Sequence, residues 1–238
     1  MNEEDELNSL LAPLPSGRHG LSREHVVRSQ RLRLLSAAVA VAGADGYAAM
    51  TVSAVLARAN VSRKTFYEQF ADREHCFLAA YEHVAEHALA GVRTAFSIEA
   101  PWPERLRAAL GWGLRALAAH EAEARVVFVE ALAAGPRALE LRDRTLRELT
   151  PLFAPGFDAA PAGAAIPPSM PQAIAGAFCE LIGTQIRQGA AARLPLLLPD
   201  LLFCALAPFV GPVAAADALA PAPVRSAGRR PQVTGSAR

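Results

Sequence analysis

The chain has 238 residues, 52% hydrophobic and 20% charged, enough apolar matter for a sizeable core and too much for global disorder. Its 24 basic and 23 acidic residues leave a net charge of +1, so any surface for a polyanion must be local. Three scattered cysteines, Cys76, Cys179 and Cys204, show no C-x-x-C spacing and argue against a disulfide framework or a structural zinc site.

Residues 1–21 combine Glu3, Glu4, Asp5 and Glu6 with Pro13, Pro15, Gly17 and Gly20. They are expected to form a disordered acidic tail, of the wrong sign for a signal or transit peptide. Ser22 then caps a first helix, in which Leu32, Leu35, Val39 and Ala42 recur at helical spacing, and Gly43 to Gly46 is expected to end it. Thr51 caps a short second helix with Val52, Val55, Leu56 and Ala59 on one face. Asn60 suits a left-handed helix stop. Ser62 caps a third helix, with Val61 and Phe66 placed as a hydrophobic staple. Asp72 caps a fourth, which runs long through Tyr81 and Val84 towards Phe96.

Pro101 and Pro103 start a fifth helix through Leu106, Leu110 and Leu117. His120 to Ala134 make a sixth, closed by Gly135-Pro136. Residues 137–153 make a seventh, with Glu140 and Arg144 as i, i+4 charge partners. Residues 154–168, with six Pro and Gly residues, are expected to be a loop. An eighth helix is expected over 170–190 and a ninth over 196–209, with Pro199 in its first turn. Over 221–238 the composition turns to Pro, Ser, Gly and Arg, and a disordered basic tail is expected. There is no strand alternation. The apolar run Leu194 to Val210 is broken by Pro195, Pro199, Asp200 and Pro208 and falls short of the roughly 20 apolar residues of a membrane span. An intracellular protein is expected.

The segment TVSAVLARANVSRKTFYEQF, residues 51–70, has the parts of a helix-turn-helix: a bracing helix, a tight turn and a second helix. Phe66 and Phe70 supply an inner side, and Arg63, Lys64, Thr65 and Tyr67 an outer one. Arg and Lys read guanine edges in the major groove, and Thr reads base edges or a thymine methyl. The hydroxyls of Thr51 and Tyr67 suit phosphate oxygens. Residues 22–67 carry seven basic against two acidic residues, net +5, while residues 1–21 carry net −3. The positive field is therefore concentrated on the motif.

Residues 31–77 resemble the N-terminal domain of the TetR family of transcriptional regulators (TetR/AcrR-like). The match rests on Ala37-Ala38, Gly46-Tyr47, Thr51-Val52, Asn60-Val61-Ser62, Thr65-Phe66-Tyr67 and Phe70, at the family's spacing without gaps. Asp72-Arg73-Glu74 stands where the family's fourth helix begins. Asn60 replaces the usual Gly and Arg73 the usual Lys. The resemblance implies an all-α fold of about nine helices, with a three-helix helix-turn-helix domain over 22–75 and a helical effector-binding and dimerisation domain over 76–220. It implies a cytoplasmic homodimer that binds a pseudo-palindromic double-stranded DNA operator. A small hydrophobic effector would release it as a repressor, with no cofactor, no enzymatic activity and no membrane. The DNA contacts it implies are Thr51, Ser53, Ser62, Arg63, Lys64, Thr65, Tyr67 and Arg73.

The effector pocket is expected to involve Trp112, Phe128 and Phe178, with Glu130 and Gln185 as orienting polar groups. Trp102 is a further aromatic candidate. The two apolar helices near the C-terminus are expected to form the dimer interface, with Phe178, Ile182, Leu198 and Leu202 at its centre. His83 and His87 fit an H-x-x-E-H string and share a helix face, but no third ligand stands near them in sequence, so no metal is assigned. The alternatives are a metal-responsive regulator using His83 and His87, or an all-α protein without DNA binding.

Overall fold

The computed structural model describes residues 22–219; both tails expected from composition lie outside the described residues. Helix α1 (Arg23–Asp45) begins where Ser22 Oγ accepts the His25 N–H at 3.1 Å. It runs through Gly43 and stops only at Gly46, whose φ of 87° is a glycine conformation. After a 3₁₀ turn (Tyr47–Ala49), α2 (Val52–Ala59) is capped by Thr51 and closed by Asn60 in the left-handed region, φ 51° and ψ 52°. Helix α3 (Arg63–Gln69) is capped by Ser62, and α4 (Arg73–Phe96) by Asp72. Each cap accepts a backbone N–H three residues on, which satisfies a donor the helix leaves open.

Helix α5 (Trp102–Ala119) has Pro103 in its first turn. Helix α6 is assembled from Glu121–Arg125, a π-helical turn Val126–Glu130, and Ala131–Ala133. Gly135 precedes α7 (Pro136–Arg147), which ends before a 3₁₀ turn (Thr150–Leu152). The expected seventh helix is thus shorter than 137–153, and Arg144 pairs with Glu82 on α4 at 2.8 Å rather than with Glu140. The expected loop 154–168 holds a short helix, α8 (Pro155–Ala159), because Pro155 is preorganised for a first turn. Helix α9 (Met170–Arg187) follows. A 3₁₀ stretch (Ala191–Leu197) leads into α10 (Leu198–Val210), and α11 (Pro212–Asp217) is an addition to the expected set. No strand occurs among the described residues.

Two apolar cores organise these helices. The first holds Leu34, Val55, Phe66, Phe70, Phe77 and Tyr81 from α1–α4, joined by Val126, Ala131, Ala138 and Leu141 from α6 and α7. It therefore continues past residue 75. Phe66 is fully buried and Phe70 nearly so. Truncating a buried Phe to Ala typically costs about 3–5 kcal/mol, so these two rings hold the seven-residue α3 in place. The second core holds Trp102, Leu106, Phe153, Ile186, Leu201 and Phe209. Trp102 donates from its indole to Leu152 O at 2.9 Å and meets the Phe209 ring edge-on. It is a core residue.

The apolar C-terminal helices satisfy much of their burial within one chain. Phe178, Ile182 and Leu202, expected at a dimer interface, are 7%, 8% and 0% exposed and pack in the second core. The sequence shows how much of a helix is apolar but not which core covers it. Leu198 is half-buried, its Cδ2 beside Gly111. The side of α9 left outward carries Ala173, Gly176, Ala177 and Leu181. The stretch Ala191–Val210 is long and apolar enough by composition to cross a membrane, mean hydropathy 1.6, but its Leu194, Leu201, Leu202, Leu206 and Phe209 sit in the second core.

Candidate nucleic-acid interface and effector cavity

Helices α2 and α3 present one polar surface. Ser62, Arg63, Lys64 and Tyr67 are exposed, Lys64 by 88% of its side chain and Tyr67 by 51% of the residue. Arg63 Nη2 donates to Ser53 Oγ at 3.1 Å, which joins α3 to α2 across the turn. Lys64 stands 3.8 Å from Glu68, a loose pair on an exposed face that leaves the ammonium available. Thr65 is half-buried, its hydroxyl 2.9 Å from the Ser62 hydroxyl. Thr51 and Ser62 are N-caps, so their oxygens already accept backbone N–H groups. These caps fix the starts of α2 and α3.

Three arginines pack behind this surface. Arg33 on α1 donates from Nε to Ala59 O at 3.2 Å and from Nη2 to Asn60 O at 2.7 Å. It thereby satisfies carbonyls at the C-terminus of α2 and adds a cation where the helix dipole favours one. Nothing in the sequence links positions so far apart, and only the basic tilt of α1 hints at it. Arg73, expected as a phosphate contact, stacks 4.8 Å over the Tyr47 ring and points Nη1 at Ala48 O, 3.4 Å away. Its guanidinium is engaged with the 3₁₀ turn. Arg31 lies 4.8 Å over the Phe70 ring in the same way.

Behind this unit lies a cavity of about 420 Å³ between α4, α5, α6, α7 and α9. Trp112, Phe128 and Phe178 line it, with Leu89, Val92, Leu114 and Phe153. Gly91 makes room for the Trp112 ring: a β-carbon there would come within 1.9 Å of the indole. Tyr81, Val84 and Ala85 line the cavity and also belong to the first core, so α4 is a wall shared by both. Polar groups stand at two places on the lining. His83, His87 and His120 are exposed, and Glu123 is half-buried. Tyr81, Arg142, Thr145 and Cys179 are half-buried or buried. Partial desolvation by the surrounding chain, and then the neighbouring His87, hold the His83 imidazole below its ordinary pKa even though part of the side chain reaches the surface.

Glu130 and Gln185, expected as orienting groups, are absent from the cavity lining. Glu130 is buried and turned the other way, towards the end of α1. An acid in an apolar helix signals a fixed role, but the π-helical turn that aims it has no sequence signature. Among the described residues no three His, Cys, Asp or Glu side chains are grouped to hold a metal ion. Cys76 is fully buried and its thiol is pushed up to about 12 by that burial, while His75 Nδ1 accepts from Ala71 N at 3.3 Å.

Residues 34–80 match the model of the family described as bacterial regulatory proteins, tetR family. No curated protein matches the chain. Among solved structures, the fatty acid degradation regulator FadR from Bacillus halodurans is similar, with 19% identity, TM-score 0.65, and 73% of this chain and 96% of that one covered. FadR from Bacillus subtilis, solved in complex with stearoyl-CoA, is similar at 19% identity and TM-score 0.65, covering 76% and 98%. A bacterial regulatory protein in the tetR family from Rhodococcus RHA1 shows 22% identity and TM-score 0.59, covering 76% and 97%.

Proposed function

We propose that the chain, whose residues 34–80 match the model of the tetR family of bacterial regulatory proteins, is a DNA-binding transcription regulator, a repressor released from its operator by an apolar organic ligand. The observation that carries this reading is the double membership of Tyr81, Val84 and Ala85, which pack the DNA-binding core and wall the cavity. A molecule that fits the cavity better in one position of α4 than in another shifts the population of α3 orientations. The cavity's volume of about 420 Å³ lies within the roughly 300–1,000 Å³ common for small-molecule sites. The stearoyl-CoA held by the Bacillus subtilis neighbour supports an aliphatic ligand class.

Two copies acting as a cytoplasmic homodimer would place two α3 helices in successive major grooves, about 34 Å apart, on a pseudo-palindromic operator. The outward side of α9, with Ala173, Gly176, Ala177 and Leu181, is the surface we assign to the second copy. Ser53, Ser62, Arg63, Lys64, Thr65 and Tyr67 form the DNA-facing set. Selection of bound sequences from a random DNA pool, followed by titration with apolar compounds, tests the reading. A palindromic consensus whose binding weakens with an apolar compound is expected. Failure to enrich any sequence would overturn it.

A further inference from the structure

The start of α1 stands clear of the first core. Arg23 to Arg28 are exposed or half-buried, and full burial begins only at Ser29. Further along the same helix, Arg33 meets Asn60 O at the turn between α2 and α3. The first residue of α1 therefore lies about 15 Å, measured along the axis, from the residue that touches that turn. The face beside the turn is cationic and poorly neutralised. Arg63 is held by a neutral hydroxyl, Ser53 Oγ, and Lys64 has Glu68 no closer than 3.8 Å. Arg58 on α2 is exposed as well.

Residues 1–21, outside the described residues, are joined to this end of α1 at Ser22. All their acids fall in one run, Glu3-Glu4-Asp5-Glu6, and their net charge of −3 is opposite to the +5 of residues 22–67. The stretch from Glu6 to Leu21 can span up to about 50 Å, well beyond the separation of Ser22 from α3. A segment tethered so near acts at an effective concentration of the order of millimolar, at which weak ion pairs become populated.

We propose that the acidic run Glu3–Glu6 docks on the α2–α3 face of its own chain, against Arg63 and Lys64, as a tethered stand-in for the phosphate backbone. DNA must displace it before the same cations can pair with phosphates. That cost falls on every DNA sequence alike, so the segment sets the scale of affinity and leaves base preference untouched. Salt weakens the carboxylate pairs, so the inhibition is greatest at low ionic strength. The inference rests on the proposed DNA-binding reading and adds a regulator to that surface.

Lys64 is the only lysine in the chain, which makes the contact readable. Carbodiimide coupling joins a carboxylate to an amine only where the two touch, and a Lys64–Glu68 link serves as the reference. The full chain is coupled with and without a duplex of random sequence, and the linked peptides are identified by mass spectrometry. A link between Lys64 and residues 3–6 within single chains is expected, lost when DNA is added. In parallel, duplex binding is compared with that of the full-length variant Glu3→Gln, Glu4→Gln, Asp5→Asn, Glu6→Gln. The variant is expected to bind about threefold or more tightly at about 50 mM salt, and to converge with the parent near about 300 mM. Absence of the link while Lys64–Glu68 forms, or a link only between two copies, would overturn the docking. Equal affinities at low salt would overturn the inhibition and leave the DNA-binding reading standing. A link in a chain that binds no duplex at either salt would overturn the DNA-binding reading and not the docking.

Discussion

Glu130 Oε2 accepts a hydrogen bond from the backbone N–H of Tyr47 at 2.8 Å, between residues 83 positions apart. The other carboxylate oxygen accepts from Arg125 Nη2 at 3.1 Å. Glu130 closes the π-helical turn whose Val127 and Phe128 line the cavity, and Tyr47 opens the turn between α1 and α2. Gly46 is needed at that point for its positive φ of 87°. One side chain thus ties the cavity wall to the turn that leads into α2. Glu130→Ala would leave a buried N–H without a partner, at a cost of about 1–3 kcal/mol. A lower melting temperature is expected, and a smaller ligand-induced change in operator affinity than the parent shows. An unchanged ligand response would assign Glu130 to stability alone.

Arg63 and Lys64 are the exposed cations at the start of α3. Arg63→Ala or Lys64→Ala is expected to cost about 1–3 kcal/mol in operator binding and to relax base preference at one position per half-site. Tyr67→Phe removes a hydroxyl suited to phosphate and should weaken all sequences evenly. Quantitative binding to single-base operator variants separates the two patterns. Parental affinity in the Arg63→Ala, Lys64→Ala double variant would show that α3 is not the reading helix.

Arg33 spans α1 and the C-terminus of α2 with two hydrogen bonds to carbonyl oxygens. Burial lowers its pKa from the usual guanidinium value, yet it remains a cation at any working pH. Arg33→Met keeps most of the aliphatic stem and loses both bonds. A stability loss of about 1–3 kcal/mol is expected by urea unfolding, with a weaker operator complex because α3 follows directly from that turn.

Gly91 lies under the Trp112 ring with no room for a methyl group. Gly91→Ala is expected to destabilise by about 1–3 kcal/mol through overpacking. Pairing it with Trp112→Phe, which shortens the aromatic, should restore part of the loss. Melting temperatures of the two single variants and the double variant give the coupling, and additive losses would place the clash elsewhere.

His83 is held below its ordinary pKa of 6.5, first by burial and then by His87. The unfolded chain therefore takes up this proton more readily than the folded one. Its contribution to stability is complete above pH 6.5 and is lost as the pH falls through the lower folded value. His83→Gln should flatten the stability–pH curve below 6.5, read as urea midpoints over that range. An identical slope in the variant would assign the acid sensitivity to other groups.

The helix starts at Ser22, Thr51, Ser62 and Asp72, and the left-handed stop at Asn60, were legible in the amino-acid sequence because each is settled within a few residues. A side-chain oxygen accepts an N–H three positions along, or a residue tolerates a positive φ, wherever the rest of the chain goes. The basic outer face of α3 was legible for the same reason, since a short capped helix has one side to bury and Phe66 chooses it. The tertiary structure alone decided the destinations of Glu130, Arg33, Arg73 and Arg144. All four carry charges whose partners come from other elements, and no spacing encodes which element arrives. It also decided that Phe178, Ile182 and Leu202 belong to the chain's own core. Apolar periodicity states that a face must leave water, and only the packing of α10 against α5 and of α9 against α6 and α7 states what covers it.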